Sequence, residues 1–252
     1  MKKITAVILF FGCLSISKAQ TTSDSVKQMR SSNDRERPDF NAYQPKKYFS
    51  EIEIMLGPSL SFLRGSPYVE NNSVITRSLK HGYAYGIAFN HSLKTNFCFY
   101  AAFMFEKKGS ISSANGSYFD QVSQTMKSIT IKDEFIYDYF TMPILIGYSL
   151  GHRKRIKVKT GVFVSYLRKQ IIEKTYIPLG PGGIEDQTDL NTKFDFGLDL
   201  EFGYSIPISS TISTNVKLIN TLGLINTRAA DNYGVIKTNN TSLLIGIIFN
   251  RK

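Results

Sequence analysis

The sequence alternates between apolar and polar residues over lengths that only a β-sheet accommodates. The stretch "FDFGLDLEFGYSIPI" (residues 194–208) has an apolar residue at almost every second position, with Asp195, Asp199 and Glu201 between them. Because successive side chains of a β-strand point to opposite faces, this stretch is a strand with one apolar and one acidic face. A soluble protein buries such an apolar face in a core, whereas a membrane barrel turns it towards lipid.

Seven further stretches alternate in the same way and predict eight strands in all. They are "EIEIMLGPSLSF", "GYAYGIAFNHSL", "FCFYAAFMFE", "YFTMPILIGYSL", "RIKVKTGVFVSYL", "TISTNVKLINTLGL" and "SLLIGIIFN". Connections after the second, fourth and sixth strands are short, whereas the others are long and polar, notably residues 107–134 and 173–193. Long and short connections therefore fall at opposite ends, as in an up-and-down barrel.

Strand length and the small residues of the polar face indicate that the apolar face of the strands meets lipid and not a soluble core. A transmembrane strand needs ~9–11 residues, which is longer than the usual ~5–6 of globular proteins. A lipocalin-like soluble barrel would invert every face and crowd about thirty bulky side chains into the narrow lumen of eight strands. Small residues such as Ala84, Gly86 and Ala88 suit that lumen. The predicted fold class is all-β, an eight-stranded antiparallel up-and-down transmembrane β-barrel of the outer-membrane type.

The N-terminus predicts export. Lys2 and Lys3 precede an apolar run, and Ser17 and Ala19 stand at the −3 and −1 positions of a cleavage site, so residues 1–19 are predicted to be a cleaved signal peptide. The alternative is a lipid-modified N-terminus at Cys13. Residues 20–49 are polar and predict a flexible periplasmic arm, and residues 50–252 form the predicted outer-membrane barrel of a Gram-negative cell envelope.

Charge narrows the choice of partners. Cleavage leaves 28 of the 31 basic side chains against 20 acidic ones, a formal charge of +8. Export and the lack of a basic helix exclude nucleic acid and favour outer-membrane lipid, including lipopolysaccharide phosphates. The basic residues assigned to the outward rim are Arg64, Arg77, Lys80, Lys107, Lys108, Lys169 and Lys174. A solvated cationic rim is the alternative interpretation.

The inward face of the predicted barrel carries charges of both signs. The predicted lumen charge network consists of Glu51, Glu53, Glu106, Lys157, Lys159, Asp195, Asp199, Glu201 and Lys217. Charges removed from bulk water require partners, and eight strands leave a lumen that side chains fill. A structural plug is therefore the preferred interpretation, and a proton or small-ion path is the alternative.

The sequence predicts no catalytic, cofactor or metal site. His81, His91 and His152 fall at different ends of the predicted barrel or in its turns, too far apart for a metal cluster. The "NHS" stretch at residues 90–92 bears a weak similarity to the His and Ser of lipid A deacylases, but no residue separates its His and Ser. An outer-membrane lipid hydrolase is accordingly the third functional hypothesis.

The order of these motifs resembles the PorT-like family of small outer-membrane β-barrel proteins. The resemblance covers residues 50–252 and rests on "YFTMPILIGYSL", the basic turn before "KVKTGVFVSYL", "FDFGLDLEFGYSI" and the last strand "NTSLLIGIIFN". It implies an eight-stranded outer-membrane barrel, with some relatives attached to protein secretion. The first functional hypothesis is a non-enzymatic structural or accessory component of an envelope or secretion assembly, with a protein partner bound through the loops or the arm. A narrow passive pore is the second.

Overall fold

The computed structural model of the protein describes residues 50–65, 76–93, 96–151, 154–228 and 235–250. The predicted signal peptide and N-terminal arm lie outside these residues, so their boundaries stay predictions. The strands are β1 (Ser50–Arg64), β2 (Thr76–Ser78), β3 (Lys80–Ser92), β4 (Phe97–Asp120), β5 (Thr125–Leu150), β6 (Ile156–Ile177), β7 (Gly180–Asp186), β8 (Phe194–Pro207), β9 (Ile212–Gly223) and β10 (Lys237–Asn250). No helix within the described ranges has the length and hydropathy to span a membrane.

Eight of these strands close into an antiparallel ring in the order β1, β3, β4, β5, β6, β8, β9, β10 and back to β1. The predicted eight-stranded barrel is confirmed. A path through laterally paired residues that starts at Glu51 returns to β1 at Ser61, ten residues further along the strand. Such a stagger requires tilted strands, as in all closed barrels.

The ring turns its apolar face outward. Leu198, Leu200 and Phe202 of β8 are 49%, 55% and 52% exposed, whereas Asp199 and Glu201 between them are 3% and 0% exposed. The other ring strands alternate in the same sense across their membrane-spanning parts. The acidic face of "FDFGLDLEFGYSIPI" therefore points into the lumen, and the apolar wall faces lipid.

Three strands are longer than the sequence predicts. β4, β5 and β6 have 24, 26 and 22 residues, so the expected long loop at residues 107–134 is wrong. Strands β4 and β5 pair continuously up to Asp120 and Thr125, joined by a four-residue turn. Much of the expected loop at residues 173–193 is also strand, since β7 folds back along β6. Outside lipid a strand needs no continuous apolar face, which is why alternation did not reveal these extensions.

The lipid-facing assignment predicts a large cost for a charge on the wall. Replacing Ile144, which points outward from β5 and is 47% exposed, by arginine is expected to lower the free energy of unfolding in lipid vesicles by about 2–4 kcal/mol. The control is Val122→Arg at the 96% exposed β4–β5 turn, where a change within about 0.5 kcal/mol is expected. Urea titrations measure both changes. Equal effects at the two positions would contradict a lipid-facing wall.

Candidate functional site

The nine residues of the predicted lumen network all lie on the inward face of the ring. Eight of them are at most 6% exposed, namely Glu51, Glu53, Glu106, Lys159, Asp195, Asp199, Glu201 and Lys217. The side chain of the ninth, Lys157, is 12% exposed. The structure brings most of these residues into two groups, one near the short turns and one near the long connections.

The first group surrounds Tyr100, which is fully buried. Lys217 Nζ lies 2.7 Å from a Glu53 carboxylate oxygen and 3.9 Å from Glu201, and Lys159 forms a second ion pair with Glu201. Lys217 also donates to the Tyr100 hydroxyl at 3.3 Å, and Lys159 Nζ lies 3.9 Å from the centroid of the Tyr100 ring. Two lysines, two glutamates and one aromatic ring thus form a neutral cluster that crosses the lumen.

A further ion pair lies closer to the short turns. Lys157 Nζ contacts Glu51 at 3.0 Å, and the Asn90 side chain donates to the same carboxylate at 2.5 Å. Asn215 similarly donates to Glu53 at 3.3 Å. Amides supplement the lysines here, because a buried carboxylate needs more hydrogen bonds than one ammonium group supplies.

The second group lies towards the long connections and is centred on Glu106. Lys108 contacts Glu106 at 2.7 Å, Thr141 donates to it at 2.6 Å, and Asn240 donates at 3.3 Å. Asp195 lies within electrostatic reach of Glu106 and Lys108, and it accepts a hydrogen bond of 2.6 Å from Thr238. The lumen network therefore contains polar partners that alternation alone does not single out.

Two basic residues assigned to the outward rim lie inside the barrel. Lys108 is 1% exposed and Lys80 is 6% exposed, and Lys80 forms an ion pair with Glu134. Both assignments to the rim are wrong, because each lysine occupies an inward position of its strand. The signal was present in the sequence, since Lys108 stands two residues after the inward Glu106. Lys107 and Lys169 remain on the outer surface of the barrel.

Small residues make room for the buried charges. A side chain at Gly246 would collide with the carboxylate of Glu53, and a Cβ at Gly147 would lie 2.6 Å from Cγ of Lys159. The absence of a side chain at these two inward positions lets a long charged side chain cross the narrow lumen. Glycine and alanine on the inward face therefore leave the space that the side chains of the inward glutamates and lysines occupy.

Apolar side chains fill the rest of the lumen. One buried cluster lies among the polar groups and consists of Met55, Ala84, Ala88, Tyr100, Ala102, Met104, Leu145, Ile219 and Leu244. A second cluster lies nearer the long connections and consists of Leu63, Tyr137, Tyr139, Leu167 and Ile236. Between them the backbone of β4 approaches β1, where the Gly109 amide donates to the Ser61 hydroxyl at 2.7 Å. A water-filled passage would leave inward side chains accessible to solvent, and these are not.

The two described histidines lie near opposite ends of β3. His91 accepts or donates one hydrogen bond of 3.0 Å with Ser50 on the outer face near the short turns, and His81 lies towards the other end of β3. His152 falls outside the described residues. Within the described part of the chain, no three His, Cys, Asp or Glu side chains are placed to hold a metal ion.

The β4–β5 hairpin projects beyond the ring and ends in an apolar tip. Phe119 and Met126 are cross-strand partners and are 52% and 64% exposed, with the exposed Val122 in the turn between them. Asp120 orders this turn by accepting hydrogen bonds from the Val122 amide at 3.0 Å and from Lys127. These hydrogen bonds lower the pKa of Asp120, the Lys127 bond most of all.

A closed ring of eight strands with an apolar outer wall and a polar lumen defines an outer-membrane-type barrel. The chain belongs to the outer membrane protein beta-barrel domain family, whose model matches residues 18–227. The protein is therefore an integral protein of the outer membrane. A search among curated proteins gives no match.

Similar solved structures include three outer-membrane proteins. Ail of Yersinia pestis, in complex with the heparin analogue sucrose octasulfate, has a TM-score of 0.37 and 10% identity over 79% of this chain and 99% of its own. OprG from Pseudomonas aeruginosa has a TM-score of 0.35 and 10% identity over 79% of this chain and 96% of its own. The protease OmpT from Escherichia coli has a TM-score of 0.34 and 12% identity over 82% of this chain and 98% of its own. At this level of similarity none of the three assigns a function to this chain.

The ion-pair group around Tyr100 predicts that the stability of the barrel depends strongly on Glu201. The substitution Glu201→Gln keeps the shape of the side chain but leaves Lys159 and Lys217 without this carboxylate, so we expect the free energy of unfolding to fall by about 3–5 kcal/mol. The matched control is Glu185→Gln, which breaks an exposed pair with Lys174 and should lower the free energy of unfolding far less. Urea unfolding of both variants in vesicles measures the difference. A cost below 1 kcal/mol for Glu201→Gln would show that the lumen lysines do not depend on it.

Proposed function

We propose that the protein is a non-enzymatic member of the PorT-like group of outer-membrane barrels and acts as a structural or accessory component of an envelope or secretion assembly. The observation that carries the proposal is the projecting β4–β5 hairpin with its exposed apolar tip. Loops on a rigid scaffold are the usual place for recognition, and an apolar tip in water favours a protein partner. The order of motifs shared with the PorT-like family supports the link to secretion.

The packed lumen argues against the alternative of a narrow passive pore. Inward side chains of β1 from Glu51 to Leu63, glycine apart, are at most 6% exposed, and their charges are used in ion pairs within the protein. A conducting path needs binding groups that ions can reach and leave. Function is therefore assigned to the outer surfaces of the barrel and not to its interior.

The lipid hydrolase hypothesis has less support. The Ser50–His91 pair lies on the outer face near the short turns, and within the described residues no carboxylate is hydrogen-bonded to His91. A serine nucleophile requires a base that a third group orients. We therefore propose lipid, including lipopolysaccharide, as the surroundings and partner of the wall and not as a substrate.

The site of partner binding is open to a direct test with two shortened proteins. In the first, residues 116–129 are replaced by an Asn-Gly turn, which keeps the pairing of Asn115 with Thr130 and removes the apolar tip. In the second, residues 20–49 are deleted. Affinity purification from envelope fractions is expected to recover the same partner with the full chain and with the arm deletion, but not with the shortened hairpin.

Photo-crosslinking provides the control. A photoreactive amino acid in place of Val122 is expected to give a discrete protein adduct in cells. The same photoreactive amino acid in place of the lipid-facing Leu243 should give no protein adduct. Loss of the partner only in the arm deletion would move the docking surface to residues 20–49. No specific partner with any of the three proteins would remove the support for an accessory role.

A further inference from the structure

One part of the outer wall ends in a row of aromatic rings. Phe105 of β4, Phe140 of β5 and Tyr166 of β6 are cross-strand partners, so they lie side by side on three neighbouring strands. The ring centroids of Phe105 and Phe140 are 5.7 Å apart, and those of Tyr166 and Phe194, on β8, are 5.5 Å apart. Aromatic rings in such a row mark the interface between the hydrocarbon and the headgroups of a bilayer.

The next outward row on the same three strands is charged. Asp138 of β5 is the cross-strand partner of Lys107 on one side and of Lys169 on the other. A β-bulge opposite Asp138 and Tyr139 adds one residue to β6, which leaves Arg168 and Lys169 both exposed. Three cations and one carboxylate therefore lie directly beyond the aromatic row, at headgroup level.

The three cations form no ion pair within the described residues. Lys107 Nζ lies 5.7 Å from the centroid of the Tyr83 ring, which holds the ammonium group against the wall. Asp138 lies between the two lysines in the strand ladder. Its Oδ1 atom is shielded from solvent and accepts no hydrogen bond from the described residues. Asp186 is a second carboxylate that interacts electrostatically with Lys169. Three cations outnumber these two carboxylates, so the row keeps an excess positive charge above an apolar surface.

We propose that this row binds the phosphate of a membrane lipid at the outer leaflet, with Lys107, Arg168 and Lys169 as the phosphate ligands. The apolar chains of that lipid lie along the aromatic row and the outward side chains below it. Charge complementarity selects this occupant, since an anionic headgroup joined to apolar chains matches cations placed above an aromatic wall. Asp138, which lies between the two lysines in the strand ladder, lowers the net positive charge of the row.

On the opposite wall of the barrel, the row next to Leu243 is uncharged and provides a comparison. On β10 the outward Leu243 is followed towards the long connections by Thr241, whose cross-strand partners are Leu60 and Asn220. That row carries no charge. The outward cations of this wall, Lys237 and its partner Arg64, lie two outward rows further from Leu243. An anionic lipid should therefore bind more tightly beside the charged row of β4, β5 and β6 than beside the uncharged row of β10.

This inference rests on the part of the proposed function that makes lipid a partner of the wall, but it does not depend on the protein partner. It takes the long connections to lie on the extracellular side, as they do in outer-membrane barrels. It is tested in vesicles that contain no other protein. Failure of lipid binding would leave the hairpin proposal intact, and failure of the partner experiments would leave the lipid site intact.

The chain contains no tryptophan, so single tryptophans can report on the lipid beside each wall. Tyr166→Trp places the reporter beside the charged row, and Leu243→Trp places it on the opposite wall. The full chain is reconstituted in phosphatidylcholine vesicles, and quenching by dibrominated phosphatidic acid is compared with quenching by dibrominated phosphatidylcholine. Heat-modifiable gel mobility checks the fold of each variant, and Phe103→Trp on β4 replaces Tyr166→Trp if the latter does not fold.

At the Tyr166→Trp reporter, phosphatidic acid is expected to bind at least about fivefold more tightly than phosphatidylcholine. The ratio of the two affinities should fall to near one when Lys107→Gln, Arg168→Gln and Lys169→Gln are combined. The preference should persist when Lys107 and Lys169 are instead replaced by arginine, which keeps the charge. The Leu243→Trp reporter should show no preference. Equal preference at both walls, or a preference that survives the triple substitution, would overturn the site. Displacement of the lipid by inorganic phosphate would overturn a lipid as its occupant.

Discussion

Charged side chains inside a ring of eight strands are cut off from bulk water, and they need ion-pair or hydrogen-bond partners among the other inward side chains. Lys217 meets this constraint by contacting Glu53 and Glu201, and Lys159 meets it by pairing with Glu201 against the ring of Tyr100. These residues come from β1, β4, β6, β8 and β9, so one cluster ties together strands that are distant in the chain. Removal of one partner leaves a buried charge uncompensated, which costs far more than the pair itself contributes.

The membrane imposes the complementary constraint on the outside of the same strands. A bilayer offers no hydrogen bonds to a backbone, so a spanning sheet must close on itself, and its outward side chains must be apolar. Each ring strand therefore carries two patterns at once, with leucine, isoleucine and phenylalanine outward and glycine, alanine and paired charges inward. Beyond the bilayer this double constraint ends, and β4 and β5 continue as a polar ribbon whose exposed tip is free to contact other proteins.

The sequence predicts what depends on alternation and misses what depends on tertiary pairing. The eight strands follow from period two and the barrel from the alternating lengths of the connections. The inward face of Asp199 and Glu201 follows when strand length and the small residues of that face are added. The extensions of β4 and β5 do not, because their residues 107–134 are held by backbone pairing and carry no apolar stripe. The inward side of Lys108 becomes evident only when the strand is extended past Glu106. The role of Tyr100 emerges only when β4 and β9, four places apart in the ring, face each other across the lumen.

We propose that the inward side chains close the barrel to water and ions. Single-channel recording of the purified full chain in a planar lipid bilayer measures this closure. Wild-type protein whose heat-modifiable mobility shows a folded barrel is expected to give no steady openings. Steady openings that persist in that folded protein would contradict a packed lumen and make a passive pore the better description.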